Sequence, residues 1–182
     1  MQFREKEIKL KDGRTAILRS PNMEDAQALL DYMKITAAET PYLLRTPEEC
    51  TMTLKAEEAF IAASLTGEYD AMILCFIDGM LAGNCRIVRH NKNKTRHRAD
   101  VMIALYKKFW GLGIGTAMFQ EMNALAESWG VHQLEPEVIE GNVRAMALYQ
   151  KMGFQTIAER PNSIRLEDGT MLSEYIMIKP MR

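Results

Sequence analysis

The sequence predicts a single α+β domain over residues 1–182, built around a mostly antiparallel sheet. Apolar residues alternate with a period of two in some segments and about 3.6 in others, which indicates both strands and helices. Only one segment, in the middle of the chain, has the strand–helix–strand order of a parallel crossover. The length of 182 residues suits one domain, and no repeat, low-complexity segment or linker divides it.

The first half of the chain predicts two strands, two helices and a three-stranded meander. Alternating residues on both sides of an Asp-Gly pair at 12–13 predict a hairpin. Asn22 is a suitable N-cap for the first helix, and the second helix is predicted from near Thr46 to near Gly67. Three runs then predict antiparallel strands: YDAMILCFID, MLAGNCRIVRH and RADVMIALY.

The second half predicts a helix, a short strand, another helix and two final strands. Helical periodicity is strongest over Gly113–Gly130, and HQLEPEV predicts the strand that follows. Asn142 can cap a helix that runs to Met152. The strands FQTIAE and LSEYIMIK are joined by the polar connection RPNSIRLEDGT. The last strand could form a sheet edge that pairs two subunits as a homodimer.

Composition and charge exclude several classes of function. The chain has 23 Lys and Arg against 24 Asp and Glu, a net charge of -1, which argues against a nucleic-acid binder. The basic run RHNKNKTRHR has no interleaved aromatic residues and favours a solvated hairpin. Neither the three cysteines nor the three histidines have the spacing of a metal site or disulfide framework. No segment is apolar enough for a membrane span or signal peptide, so we expect a cytoplasmic protein with reduced thiols.

Three glycines at alternate positions in FWGLGIGTAMF lead into the third predicted helix. A helix start offers unpaired N–H groups and a positive dipole, and glycines let a phosphate approach the backbone. The third glycine comes one position too early for a dinucleotide fingerprint, and no lysine follows as a P-loop requires. The loop is therefore a candidate pyrophosphate site, unless its glycines only tighten a strand-to-helix turn.

A second motif, PEVIEGNVRAMALYQKMGF, lies about 30 residues downstream, and together the two stretches resemble the GCN5-related N-acetyltransferase (GNAT) family. The family's loop Q/R-x-x-G-x-G/A corresponds to residues 110–115, with Trp110 in the place of Gln or Arg. Its later helix, N-x-x-A-x-x-L-Y-x-x-x-G-F, matches Asn142 through Phe154 without a mismatch. The resemblance covers nearly the whole chain. It implies a sheet of about seven strands flanked by about four helices and splayed at the cofactor site.

The resemblance implies acetyl-CoA as co-substrate, no metal, and direct acetyl transfer to an amine in a ternary complex. The pantetheine arm would lie along the strand before the glycine loop, like an added strand, and the pyrophosphate would sit on the loop. The residues implied in cofactor binding are Ile103, Ala104, Leu105, Gly111, Leu112, Gly113, Ile114, Gly115, Thr116 and Asn142. The role of Trp110, at the loop position where the family usually has Gln or Arg, is not explained by the resemblance.

Acetyl transfer to an amine needs a base for the ammonium, donors for the oxyanion and an acid for the departing thiolate. Tyr149 lies two helical turns after Asn142, so both side chains project from one helix face. The resemblance implies that Tyr149 protonates the coenzyme A thiolate and that Asn142 hydrogen-bonds the cofactor. Packing of Tyr149 in the core and simple helix capping by Asn142 are the structural alternatives.

Glu137 is the candidate base. A Glu-Val pair takes this place in the family's ribosomal-protein alanine N-acetyltransferase branch, and Glu137-Val138 matches it. A chain of water molecules is the alternative, since many family members lack a base at this position. Three other carboxylates are further candidates for the base: Asp100, Glu39 and Glu135.

The acceptor is the least constrained part of the prediction. The first expectation is a small-molecule primary amine. A protein amino terminus, as in the alanine branch, is the alternative within the same chemistry, and a non-catalytic acyl-CoA-binding module is the alternative of another class. The segments expected to shape the acceptor site, AAETPYLLR and RPNSIRLEDGT, share no motif that identifies it.

Overall fold

The protein, described here over residues 2–181 by a computed structural model, contains a nine-stranded mixed sheet and four helices. The strands are β1 (Lys6–Lys9), β2 (Thr15–Arg19), β3 (Asp70–Ile77), β4 (Met80–Arg89), β5 (Arg98–Leu105), β6 (Gln133–Glu135), β7 (Glu137–Ile139), β8 (Gln155–Arg165) and β9 (Met171–Pro180). The helices are α1 (Ala26–Glu39), α2 (Leu54–Thr66), α3 (Ile114–Ser128) and α4 (Val143–Lys151). The predicted α+β class and order of elements are confirmed.

The sheet has the order β1-β2-β3-β4-β5-β6-β9-β7, with β8 on the other side of β9. The pair β5–β6 is parallel and is joined by the α3 crossover, whereas the other pairs are antiparallel. One apolar cluster packs α3 and α4 against one face of the sheet. A second cluster packs α1 and α2 against the other face. The sheet therefore lies between two helical layers. A site that passes through the sheet contacts both of these layers.

Pro136 divides the predicted strand HQLEPEV into β6 and β7. A proline has no N–H for a sheet ladder, so pairing is readily interrupted there. β5 pairs with β6 only as far as Asp100, which lies opposite Glu135, and β7 pairs with β9 instead. The part of β5 beyond Asp100 therefore has an open edge toward β7, as the resemblance implied.

Helix α2 begins at Leu54, eight residues later than predicted from Thr46. The Thr53 side chain caps it by accepting a hydrogen bond from the Ala56 N–H (3.3 Å). The segment that starts at Thr46 instead closes into a turn, in which the Glu49 carboxylate accepts the Thr46 N–H (2.8 Å). Residues 40–53 are consequently one long connection between α1 and α2.

The prediction that LSEYIMIK is an exposed edge strand is wrong, so this strand gives no basis for the predicted homodimer. β9 is an interior strand, paired with β6 and β7 on one side and with β8 on the other. Much of the supposed polar connection belongs to β8, which is mostly exposed and so lacks the apolar alternation that predicts strands. The break at Pro136 adds one strand to the eight predicted along the sequence, so the sheet has nine strands, where the family resemblance implied about seven. None of the helices within residues 2–181 combines the length and apolar character needed to cross a membrane.

Candidate active site

A cavity of about 1230 Å³ lies at the open edge of β5 and extends from the glycine loop to the α1–α2 connection. It is larger than a typical small-molecule pocket, so it can hold two ligands or one long one. Every predicted site residue lines it except Leu112, whose carbonyl instead accepts the Lys11 N–H (3.1 Å). The fold thus brings the two sequence motifs, about 30 residues apart, to one site.

The glycine loop provides a positively charged end of the cavity. Gly113 is the N-cap of α3 with φ of 93°, a left-handed conformation that favours glycine. Lys11 lies beside Gly113, and the Lys151 ammonium donates to the Thr116 hydroxyl (3.3 Å). Two lysines and a helix N-terminus therefore converge where an anion would bind.

Trp110 has a defined role that the sequence could not show. Its indole N–H donates to the Leu105 carbonyl (3.0 Å) at the end of β5. The Arg144 guanidinium lies over its ring, with the guanidinium carbon 4.9 Å from the ring centre. Both residues line the cavity. Trp110 therefore fixes the end of β5 and holds a further cation near the glycine loop.

The backbone of β5 alternates between its two neighbours. Tyr106 donates its N–H to Ala82 of β4, and the register places Ala104 opposite Asn84, so Ala104 directs its backbone groups to β4. The Tyr32 hydroxyl of α1 also donates to the Ala104 carbonyl (2.7 Å). Leu105, and by the same alternation Ile103, face the open edge. Of the three β5 residues that were predicted to bind the cofactor, Ile103 and Leu105 can therefore offer backbone groups to an extended ligand, whereas Ala104 cannot.

Tyr149 packs in the core and also borders the cavity. Its ring packs edge-on against Phe119 (5.2 Å between ring centres) and is 5% exposed, yet the residue lines the cavity. Burial raises the pKa of Tyr149 to about 12, so its hydroxyl is protonated at neutral pH. Asn142 also lines the cavity, and its side-chain oxygen caps α4 by accepting the Ala145 N–H (3.1 Å).

Glu137 lies at the start of β7, with its side chain 49% exposed, and lines the cavity. Arg160 of β8 pairs with it (3.2 Å) and also with Glu174 of β9 (2.5 Å). Glu174 is buried, lines the same cavity and accepts a further hydrogen bond from Ser163 (3.0 Å). Glu174 was not predicted, because nothing in LSEYIMIK indicates which strands pair with β9.

The three other candidate carboxylates each have a partner, although Asp100 and Glu135 also line the cavity. Glu39 accepts the Lys107 N–H (2.7 Å), and Asp100 contacts His90 (3.1 Å). Burial raises the pKa of Glu135, but hydrogen bonds from Arg98 and Gln133 outweigh it and leave that pKa lowered. Ligand atoms of His90, which directly follows β4, of Asp100 on β5 and of Glu135 on β6 lie within 4.8 Å of one another, a proximity that the sequence did not predict. Arg98 already balances the Glu135 charge, and we assign no metal here.

Two further charged residues of the cavity were not predicted. Arg45, in the α1–α2 connection, has its Nε buried without a hydrogen-bond partner among residues 2–181. Glu57 of α2 is 2% exposed, and burial raises its pKa. Both depend on how the connection and α2 fold over the sheet, for which the sequence carries no local signal.

Comparisons with known proteins agree with this geometry. The model of the acetyltransferase (GNAT) family matches residues 30–154. A GNAT-family acetyltransferase from Streptococcus pneumoniae is similar, with 25% identity and a TM-score of 0.85 over 91% of this chain and 99% of that one. A ribosomal-protein-alanine N-acetyltransferase from Brucella melitensis has 19% identity and a TM-score of 0.78 over 90% and 98%.

A GNAT superfamily phosphinothricin acetyltransferase from Sinorhizobium meliloti, solved in complex with AcCoA, has 20% identity and a TM-score of 0.77 over 91% and 88%. No curated protein matches the chain. The family model spans more than half of the sequence, and the shared fold extends over nearly all of it. The chain therefore belongs to the acetyltransferase (GNAT) family.

Proposed function

We propose that the protein transfers an acetyl group from acetyl-CoA to the primary amine of a small molecule, by direct attack in a ternary complex. The observation that carries the proposal is the continuous cavity, which links the glycine loop on one side of the sheet to the α1–α2 connection on the other. Such a cavity lets two substrates meet at the open edge of β5. The complex of a structural neighbour with AcCoA supports this choice of acetyl donor.

The residues at the glycine-loop end fit coenzyme A. Gly111–Thr116 would hold the pyrophosphate through backbone N–H groups, aided by Lys11, Lys151 and Arg144. The backbone groups of Ile103 and Leu105 would pair with the amides of the pantetheine arm, as an added strand pairs with a sheet edge. The Leu105 carbonyl is shared with Trp110, so Ile103 would provide the principal contacts.

Acetyl-CoA supplies a thioester that is activated toward amines. Glu137 would take one proton from the acceptor ammonium, which frees the lone pair for attack. As the C–N bond forms and the C–S bond breaks, the Tyr149 hydroxyl would donate its proton to the sulfur. The proton shed by the new amide nitrogen would then restore Tyr149, and Glu137 would release its proton to solvent. Because its pKa lies near 12, Tyr149 carries the proton that this role requires.

The acceptor end of the cavity favours a small molecule over a protein terminus. Tyr42, in the α1–α2 connection, reaches the loop before α4, where a Cβ on Gly141 would lie 3.2 Å from the Tyr42 hydroxyl. Leu43 and Arg45 of the same connection line the cavity. The connection thus crosses over the acceptor end, whereas a protein terminus requires an open groove.

The proposal is tested by measuring thiol release from acetyl-CoA with a panel of small primary amines and of peptides with free amino termini. We expect release with a subset of the small amines and little with the peptides. Turnover restricted to peptides would assign a protein N-terminal acetyltransferase. Acetyl-CoA binding without turnover on any member of the panel would favour a non-catalytic acyl-CoA-binding module.

Replacing Trp110 should weaken acetyl-CoA binding while sparing the chemical step. Trp110→Phe loses one hydrogen bond, worth about 1 kcal/mol, and should raise the KM for acetyl-CoA about fivefold with kcat nearly unchanged. Trp110→Ala also removes the ring over which the Arg144 guanidinium lies, and it should raise the KM for acetyl-CoA further. In a double-mutant cycle with Arg144→Gln, the two effects should be less than additive. A KM for acetyl-CoA that stays unchanged in Trp110→Ala would contradict this role.

Glu137→Gln should lower kcat/KM for the amine by about 10²-fold near pH 7, since the amide cannot accept the ammonium proton. The deficit should shrink as the pH approaches the pKa of the amine, near 10 for an alkylamine, because the acceptor then arrives neutral. Glu127→Gln, at an exposed position of α3 outside the cavity, is the matched control and should have no effect. A deficit that is constant with pH would indicate that Glu137 binds the acceptor and does not act as a base.

A further inference from the structure

Arg45 is a charged side chain of the cavity for which residues 2–181 provide no counter-ion. Its Nε is buried without a hydrogen-bond partner, and none of the ion pairs between described residues includes it. By contrast, Arg86, another arginine of the cavity, forms a two-pronged ion pair with Asp70. Arg45 is only partly buried, but its Nε is withdrawn from water without a partner, and a bound anion would recover the free energy that this costs.

Glu57 does not act as the counter-ion of Arg45, although both residues line the cavity. Burial raises the pKa of Glu57, and none of the ion pairs found within residues 2–181 joins Glu57 to Arg45. The other cavity carboxylates have partners of their own: Glu135, Glu137 and Glu174 pair with Arg98 or Arg160, and Asp100 contacts His90. The cation at Arg45 is therefore available to a ligand.

Arg45 lies on the acceptor side of β5. Its positive charge is near enough to the Tyr32 hydroxyl to lower the pKa of that group, although burial raises the pKa overall. The Tyr32 hydroxyl in turn donates to the Ala104 carbonyl (2.7 Å), and Ala104 packs with the α1–α2 cluster. Ile103 faces the opposite layer, since a Cβ on Gly115 would lie 3.7 Å from its Cδ1. Strand β5 thus separates Arg45 from the glycine loop.

The phosphates of acetyl-CoA do not require Arg45, because the glycine loop has its own cations. Lys11 lies beside Gly113, Lys151 bonds Thr116, and Arg144 is held on Trp110. The remaining ligand is the acceptor. An arginine fork binds carboxylates and related oxyanions through two parallel hydrogen bonds, which is a more specific contact than a single charge.

We propose that Arg45 binds an anionic group of the acceptor, so that the substrate is a primary amine that also carries a carboxylate or an equivalent oxyanion, as amino acids and their analogues do. This inference rests on the proposed function and narrows it to a substrate class. It also separates the two acceptor alternatives, because a peptide amino terminus has no carboxylate beside its amine.

The test compares amino acids with their carboxamides, which keep the amine and shape but lose the negative charge. A charge-assisted hydrogen-bonded contact should favour the acid over the amide about 10- to 100-fold in kcat/KM with the wild-type protein. Arg45→Gln should abolish this preference by raising the KM for the acid, while the KM for acetyl-CoA stays unchanged. Arg45→Lys, which keeps the positive charge, should retain part of the preference for the acid over the carboxamide. Arg96→Gln, exposed in the turn between β4 and β5 and outside the cavity, is the control.

Equal use of acid and amide by the wild-type protein would overturn the inference, as would an Arg45→Gln effect confined to the KM for acetyl-CoA. Binding is measured independently of turnover, by the thermal shift that amino acids cause in the protein saturated with coenzyme A. We expect a shift with the wild-type protein and none with Arg45→Gln. Absence of a shift across the amino-acid panel would also overturn it. A shift without acetyl transfer would leave the inference standing and contradict the proposed function.

Discussion

Tyr149→Phe is expected to lower kcat about 10²-fold and to leave the KM for acetyl-CoA nearly unchanged. The phenylalanine keeps the ring that packs against Phe119, so the fold and the cavity should persist, and only the hydroxyl is lost. General-acid assistance of the departing thiolate is typically worth about 10²- to 10⁴-fold in rate. The measurement is steady-state thiol release at saturating amine, together with the thermal midpoint of each variant.

The pH profile gives a second check on Tyr149. Burial raises its pKa to about 12, so the folded protein keeps this proton across the range in which the enzyme can be assayed. The rate of the wild-type protein should therefore not fall through ionisation of Tyr149 between about pH 8 and 10.

The matched control for Tyr149→Phe is Tyr175→Phe, on β9 and outside the cavity. Equal loss of cofactor binding and turnover in Tyr149→Phe would rule out its role as the acid.

Gly83→Ala is expected to destabilise the protein by about 3 kcal/mol. Gly83 of β4 lies opposite Leu105 of β5, and an added Cβ would come 2.5 Å from the Ala104 carbonyl oxygen and 2.9 Å from the Leu105 Cα. Both are backbone atoms, so the strands would have to separate. For a domain of this size the loss corresponds to a fall of about 6–12 °C in Tm.

The control for Gly83→Ala is Gly79→Ala, in the exposed β3–β4 turn. Gly79 has φ of 76° but no atom within 4 Å of an added Cβ, so it isolates the backbone strain, about 1 kcal/mol. Urea unfolding of both variants separates strain from steric clash. A Gly83→Ala loss no larger than that of Gly79→Ala would show that β4 and β5 lie farther apart than described here.

The parts of the site that the sequence predicts are those encoded locally. The glycine loop and the helix from Asn142 to Phe154 are continuous motifs, and residues of both line one cavity. The periodicity of α3 and the alternation of β3 to β5 likewise predict their elements well. Pro136 marks the break in pairing because a missing N–H is visible in the sequence itself.

The unpredicted features depend on contacts between distant segments. Arg45 reaches the cavity because residues 40–53 cross over the sheet, and Glu174 reaches it because β9 pairs with β7. Neither residue belongs to a pattern of fixed spacing. The close approach at Gly83 is equally invisible, since it is set by the neighbouring strand. The start of α2 was misplaced because Thr46 and Thr53 are both acceptable N-caps, and only packing distinguishes them.

The central claim, direct acetyl transfer to an amine in a ternary complex, is tested most directly by initial rates measured with isotopically labelled acetyl-CoA and an accepted amine, varied together. We predict intersecting double-reciprocal lines, the label recovered in the amide of the acceptor, and no labelled protein when the amine is left out. Parallel lines together with a labelled protein side chain would contradict the claim, because they would show that the acetyl group passes through the enzyme.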